Sequence, residues 1–169
     1  TVASGGTGDT NTAIWWGSAA GYDPLHTTVL PGMGTWGLSL ADLNGDGLLD
    51  LVTANQTNDT TTHVNSRVYW NTPMGLDTAN PVYLPTNDVR DVSAGDANGD
   101  GAIDLLFCNQ NDVGGTGYVT DSYLYLSSPS GFAAENKLAL ATQGATGCAI
   151  ADVNDDGYAD LVFSEYFDG

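Results

Sequence analysis

The chain's 169 residues suffice for one domain with its own core, and 41% apolar residues set it apart from disordered sequences. Its formal charge is −18, from 21 acids against Arg67, Arg90 and Lys137. Such a surface repels phosphate backbones and anionic headgroups, which excludes nucleic acid as a partner, and it attracts divalent cations. No apolar run approaches the roughly 20 residues of a membrane span, so no membrane insertion is expected.

The elements recur in three copies. In chain order, the first copy opens on an aromatic strand at Ile14–Trp16 and a brief strand at Thr28–Leu30. Strands then follow at Trp36–Leu40, Leu51–Ala54, Val68–Trp70 and Val82–Leu84. The cycle repeats as Val89–Ala94, Leu105–Cys108, Tyr123–Leu126 and Leu138–Leu140, and closes with Gly147–Ile150 and Leu161–Phe163. β-Branched and aromatic residues dominate these runs, Gly or Pro separates them, and no 3.6-residue apolar period persists long enough for a substantial helix.

Two landmarks hold the copies in register. The segments "ADLNGDGLLDLVTAN", "GDANGDGAIDLLFCN" and "ADVNDDGYADLVFSE" have their first aspartates, Asp42, Asp96 and Asp152, 54 and 56 residues apart. Gly21, Gly75 and Gly131, in "IWWGSAAGY", "VYWNTPMGL" and "LYLSSPSGF", each precede those aspartates by 21 residues. Four strands per repeat of 54–56 residues is the signature of a propeller blade, so the fold class expected is an all-β β-propeller segment with about three repeats. A β-sandwich would not require such strict repetition. The expected units are 13–30 (outer strands of an incomplete blade), 36–84 and 89–141 (blades), and 146–165 (inner strands of another incomplete blade).

Each segment between the first and second strand of a unit offers oxygen ligands at alternating positions, the pattern by which a tight loop surrounds calcium. The first offers the side chains of Asp42, Asn44, Asp46 and Asp50 and the carbonyl of Leu48. The second offers Asp96, Asn98, Asp100, Asp104 and the Ala102 carbonyl, and the third Asp152, Asn154, Asp156, Asp160 and the Tyr158 carbonyl. Gly47, Gly101 and Gly157 permit the sharp turn after the third ligand. A set without Cys or His disfavours zinc and copper, and magnesium demands stricter octahedral geometry. An EF-hand or dockerin would need an acid at the twelfth position, where Thr53, Phe107 and Phe163 stand. The ligand positions account for nine of the 21 acids, and three Ca²⁺ at two charges each would bring −18 to −12.

The pattern Asp-x-Asn-x-Asp-Gly-x-x-Asp-Leu-Val resembles the FG-GAP or VCBS repeat, the family of the integrin α-chain propeller, Psathyrella-type fungal lectins and many secreted bacterial proteins. The Phe-Gly signature itself is replaced by Trp36-Gly37, Arg90-Asp91 and Thr146-Gly147. The resemblance implies a calcium-stabilised propeller that is secreted or at the cell surface. Members usually close with six or seven blades. Two arrangements therefore stand open: the remainder of a longer propeller, or a head-to-tail homodimer in which residues 13–30 complete a neighbour's Asp152 blade and close a six-bladed ring.

His26 and His63 have no accompanying nucleophile or acid cluster, so catalysis is not expected. The function expected is a lectin-like or cell-adhesion module binding carbohydrate or extracellular protein, with a structural, self-assembling scaffold as the alternative. Recognition is expected opposite the acidic loops, where loops 55–66 and 109–121 and connections 31–35, 85–88 and 141–146 gather. Trp36, Arg90, Tyr118 and His63 are the ligand-binding candidates there. Trp15, Trp16, Tyr69, Trp70 and Tyr125 are expected to pack between blades, one ring of each pair partly exposed. Cys108 and Cys148 read as small buried hydrophobes, with pairing left open. Asn55 and Asn58 match the glycosylation pattern. The chain carries neither an initiator Met nor a signal-peptide pattern, and is expected to be processed or excised from something longer.

Overall fold

A computed structural model describes residues 11–57, 61, 63–112 and 117–167. Among the described residues the chain is all-β, without a helix, in antiparallel sheets. A hairpin comes first, β1 (Thr12–Ser18) with β2 (Gly21–Leu30). A four-stranded sheet follows, in the order β3 (Thr35–Ala41), β4 (Asp50–Asn55), β5 (Asn65–Tyr69), β8 (Val82–Pro85), with a minimal hairpin β6 (Asn71–Thr72) and β7 (Gly75–Leu76) hung from it. The second four-stranded sheet runs β9 (Val89–Gly95), β10 (Asp104–Asn109), β11 (Val119–Tyr125), β12 (Lys137–Gln143). A final hairpin pairs β13 (Ala145–Ala151) with β14 (Asp160–Glu165).

Register repeats with the sequence. Leu51 pairs with Tyr69 and Val52 with Val68 across β4–β5, and Leu105 with Tyr125 and Leu106 with Leu124 across β10–β11. Both second strands are buried along their whole length, as a strand covered on both faces must be. The landmark glycines occupy tight turns at positive φ, 97° at Gly21, 106° at Gly75 and 87° at Gly131, where a Cβ would be strained.

The sheets stack face to face through their first strands, β9 against β3 and β4, and β13 against β9 and β10. Val52, Val68, Leu84, Val89, Leu105, Phe107 and Tyr125 form the core between the two larger sheets. A smaller core, Leu30, Leu51 and Tyr69 with Ile14, Leu38 and Leu76, joins the first hairpin to the first large sheet. Close approach explains Gly37: a Cβ there would lie 2.7 Å from Asp91 Cα on the next sheet. The aromatic strands divide as their neighbours dictate. Tyr69 and Tyr125 are fully buried, Trp70 stacks on Phe132 with ring centroids 6.5 Å apart, and Trp15 and Trp16 are more than a third exposed.

Three details differ from the sequence reading. Cys108 and Cys148 form a disulfide, joining β10 to β13 and so one sheet to the next, rather than serving as free thiols. β2 and β11 extend well beyond their apolar cores: Val119–Ser122 of β11 pair through the backbone with β12, and Gly21, Tyr22 and Thr27 of β2 with β1 around an irregularity, with no hydrophobic alternation to announce it. Asn55 is buried and its Nδ2 donates to the Asn65 carbonyl at 2.9 Å, which closes it to glycosylation; Asn58 lies outside the described residues.

Candidate functional site

The acidic loops are built alike. The Asp46 N–H is shared by Asp42 Oδ1 and Asn44 Oδ1, both at 3.0 Å. Asp100 N–H contacts Asp96 Oδ1 and Asn98 Oδ1, and Asp156 N–H contacts Asp152 Oδ1 and Asn154 Oδ1. Two side-chain oxygens per loop thus converge on one point. The other carboxylate oxygen of the first aspartate accepts the N–H of the turn glycine, at 2.8 Å from Gly47, Gly101 and Gly157, each with φ of 87–89°. These N–H groups hold the Asp96 and Asp152 carboxyls below the ordinary carboxylate range.

The closing aspartates face inward. Asp50 is fully buried and accepts from Leu43 N–H at 3.0 Å and Asn71 N–H at 2.7 Å. Asp104, equally buried, accepts from Ala97 at 3.0 Å and Ser127 at 2.8 Å. Desolvation raises both carboxyls, and the backbone donors work against it. Asp160 is half-buried and accepts from Val153 alone among the described residues.

The donor chemistry of each loop, oxygen alone from aspartates, an asparagine and one carbonyl, fits a hard cation such as calcium. Among the described residues no three His, Cys, Asp or Glu side chains gather closely enough to hold a metal by themselves. The asparagine and carbonyl would have to complete the set.

At the opposite ends of the strands a second constellation forms. The Arg90 guanidinium lies over the Trp36 ring, 4.4 Å from its centroid, a cation–π contact. Arg90 Nε donates to Gln110 Oε1 at 2.6 Å, and Arg90 stands 3.4 Å from the buried Asp88. Burial lowers the Arg90 pKa, while the charges of Asp88 and Tyr118 pull it back up. Tyr118 packs against Tyr166 and Phe167, with centroids 5.2 and 5.6 Å apart. Trp36, Arg90, Gln110, Tyr118, Thr146 and Tyr166 line a shallow cavity of about 380 Å³.

Three of the four ligand-binding candidates, Trp36, Arg90 and Tyr118, are therefore brought together. His63 is not: it lies by Arg67 and Tyr83 in a separate depression, its ring against Asn87 Oδ1. Gln110 and Tyr166 were not singled out from the sequence. A signal existed, since both second strands end in Asn-Gln: Gln56 accepts from the Trp36 indole as Gln110 does from Arg90, and Tyr166 holds the same place in the third unit. Another cavity, about 500 Å³, lies on the acidic-loop side between Trp70, the Asp42 and Asp100 loops and the turn 127–131.

Fold and loops together define an all-β repeat protein with one acidic loop in each unit. The family model of the FG-GAP-like repeat matches residues 42–107, the stretch from the first acidic loop to the strand after the second, and supports that family for this chain. No curated protein matches the chain.

Proposed function

We propose that the chain is part of a calcium-stabilised β-propeller, acting outside the cell, that binds carbohydrate through the Trp36–Arg90–Tyr118 face. The observation that carries this reading is the convergence of an exposed indole, a guanidinium, a glutamine and two tyrosines on one shallow cavity, remote from the acidic loops. Flat aromatic faces beside planar hydrogen-bond donors suit a sugar, which offers apolar C–H faces and hydroxyls together. Extracellular protein is the other ligand class this face suits. The Cys108–Cys148 disulfide supports an oxidising compartment.

The acidic loops take the structural role. Asp42, Asn44, Asp46, Asp50 and the Leu48 carbonyl, with their counterparts in the other two loops, would hold about three Ca²⁺ per chain. Bound calcium supplies charge neutralisation and cross-linking of each loop. We assign no catalysis to the protein.

A glycan array with the calcium-loaded protein tests the reading. Binding to a defined sugar class, weakened about tenfold or more by Trp36→Ala, is expected. Absence of binding at millimolar sugar would favour the second reading, a self-assembling scaffold without a small-molecule site, which the open strand edges favour.

A further inference from the structure

We propose, on the carbohydrate reading above, that Asp88 restricts the Trp36–Arg90–Tyr118 cavity to uncharged sugars by neutralising Arg90 from within the fold. Arg90 brings a cation to the cavity, and the other lining residues, Trp36, Gln110, Tyr118, Thr146 and Tyr166, bring none. Alone it would recruit acidic ligands, since a guanidinium pairs with a carboxylate through two parallel N–H bonds. The protein's own carboxylate stands there instead, with the two oxygens of Asp88 3.4 and 3.5 Å from Arg90 Nη2.

Asp88 stands where the other two units have glycine. Its carbonyl accepts the Gln110 N–H at 3.2 Å, as Gly34 accepts that of Gln56 and Gly144 that of Tyr166, so the three residues hold one place in the repeat. All have positive φ, 58° at Gly34, 39° at Asp88 and 70° at Gly144, a region uncommon for residues other than glycine. Space is short there too. A Cβ on Gly34 would lie 3.1 Å from Thr57 Cγ2, and one on Gly144 3.1 Å from Tyr118 Cδ1. The shared backbone bond needs no side chain, so the carboxylate answers another demand.

That demand is Arg90. Asp88 is 1% exposed, and a carboxylate taken out of water needs a counter-charge. Asn111 Nδ2 donates to its Oδ2, Oδ1 accepts no hydrogen bond, and Arg90 is its one ion-pair partner among the described residues. The two charges also come together: their places hold Gly34 and Trp36 in the first unit and Gly144 and Thr146 in the third. Arg90 Nε is taken by Gln110 Oε1 and Nη2 by Asp88, and Nη1, without a protein partner among the described residues, is left for a sugar hydroxyl. With the pair neutral, the formal charge of −18 acts unopposed on any approaching anion.

The test is one glycan array carrying neutral hexosides and the corresponding uronic acids, probed with the calcium-loaded native chain and with Asp88→Asn and Asp88→Gly. Asparagine keeps the shape and tolerates positive φ, and glycine is the residue of the other units; circular dichroism checks that each variant folds. The native chain should bind the neutral forms about tenfold better than the uronic acids, and the variants should shift that ratio toward the acids by about tenfold or more. Neutral and acidic forms bound alike by the native chain, or a ratio unmoved in a folded variant, overturns the role of Asp88 and leaves the carbohydrate site standing. Binding of neither form by the native chain overturns both.

Discussion

The Asn71 N–H donates to Asp50 Oδ1 at 2.7 Å, and so ties the end of the third strand to the loop between the first and second. The acidic loop is thereby bound to its sheet at a point beyond its own sequence. Asp50→Ala would strand the Asn71 and Leu43 N–H groups and cost about 2–4 kcal/mol, whereas Asp160→Ala, removing the acceptor of Val153 alone, costs about 1 kcal/mol in the single chain. Urea denaturation of the two variants measures the difference, and equal losses would contradict it.

Gly37 is a packing glycine. Gly37→Ala drives a methyl to within 2.7 Å of Asp91 Cα, which belongs to backbone and cannot rotate away. The expected cost is about 3 kcal/mol or more, since overpacking forces sheets apart. Gly45→Ala, with open space around it and φ of 74°, should cost only about 1 kcal/mol. Thermal melts of the pair check the order.

The Cys108–Cys148 disulfide closes a loop with a sequence separation of 40 and links successive sheets. Loop-closure entropy gives about 4 kcal/mol for a loop of that length. Reduction, or Cys108→Ser with Cys148→Ser, should lower the denaturation midpoint accordingly. An unchanged midpoint would show that the two sheets hold together without it.

Tyr125 reports the core at alkaline pH. Burial raises its phenol above the ordinary value of 10.0, and its hydroxyl donates to the Pro85 carbonyl at 2.6 Å. The folded pKa exceeds the unfolded one, so this contribution is complete below about pH 10 and is lost as pH rises above it. Tyr125→Phe should remove part of the alkaline loss of stability and cost about 1 kcal/mol at neutral pH. Unfolding curves between pH 8 and 11 test both.

Much of the strand order was legible because each unit repeats one apolar run flanked by fixed glycines, such as Val52 and Leu106 in matching places. The acidic loops were legible for the same reason. The buried role of Asp50 and Asp104 was not, because their second donors, Asn71 and Ser127, act through backbone N–H, which leaves no trace in side-chain identity. The Trp36–Arg90–Tyr118 cluster was legible as three residues on neighbouring loops. Gln110 and Tyr166 joined it unforeseen, because their repeat position holds Gln, Gln and Tyr and reads as variable loop rather than as one recurring place. The disulfide depended on the spacing between β10 and β13 on adjacent sheets, which apolar patterning does not encode.

Calcium dependence of the melting temperature tests the central claim most directly. With calcium in excess the chain should melt higher than with chelator, each site at a hundred times its Kd adding about 2.7 kcal/mol. Magnesium at the same concentration should restore little of the difference. Identical melting curves with calcium and with chelator would contradict the assignment of the acidic loops as calcium sites.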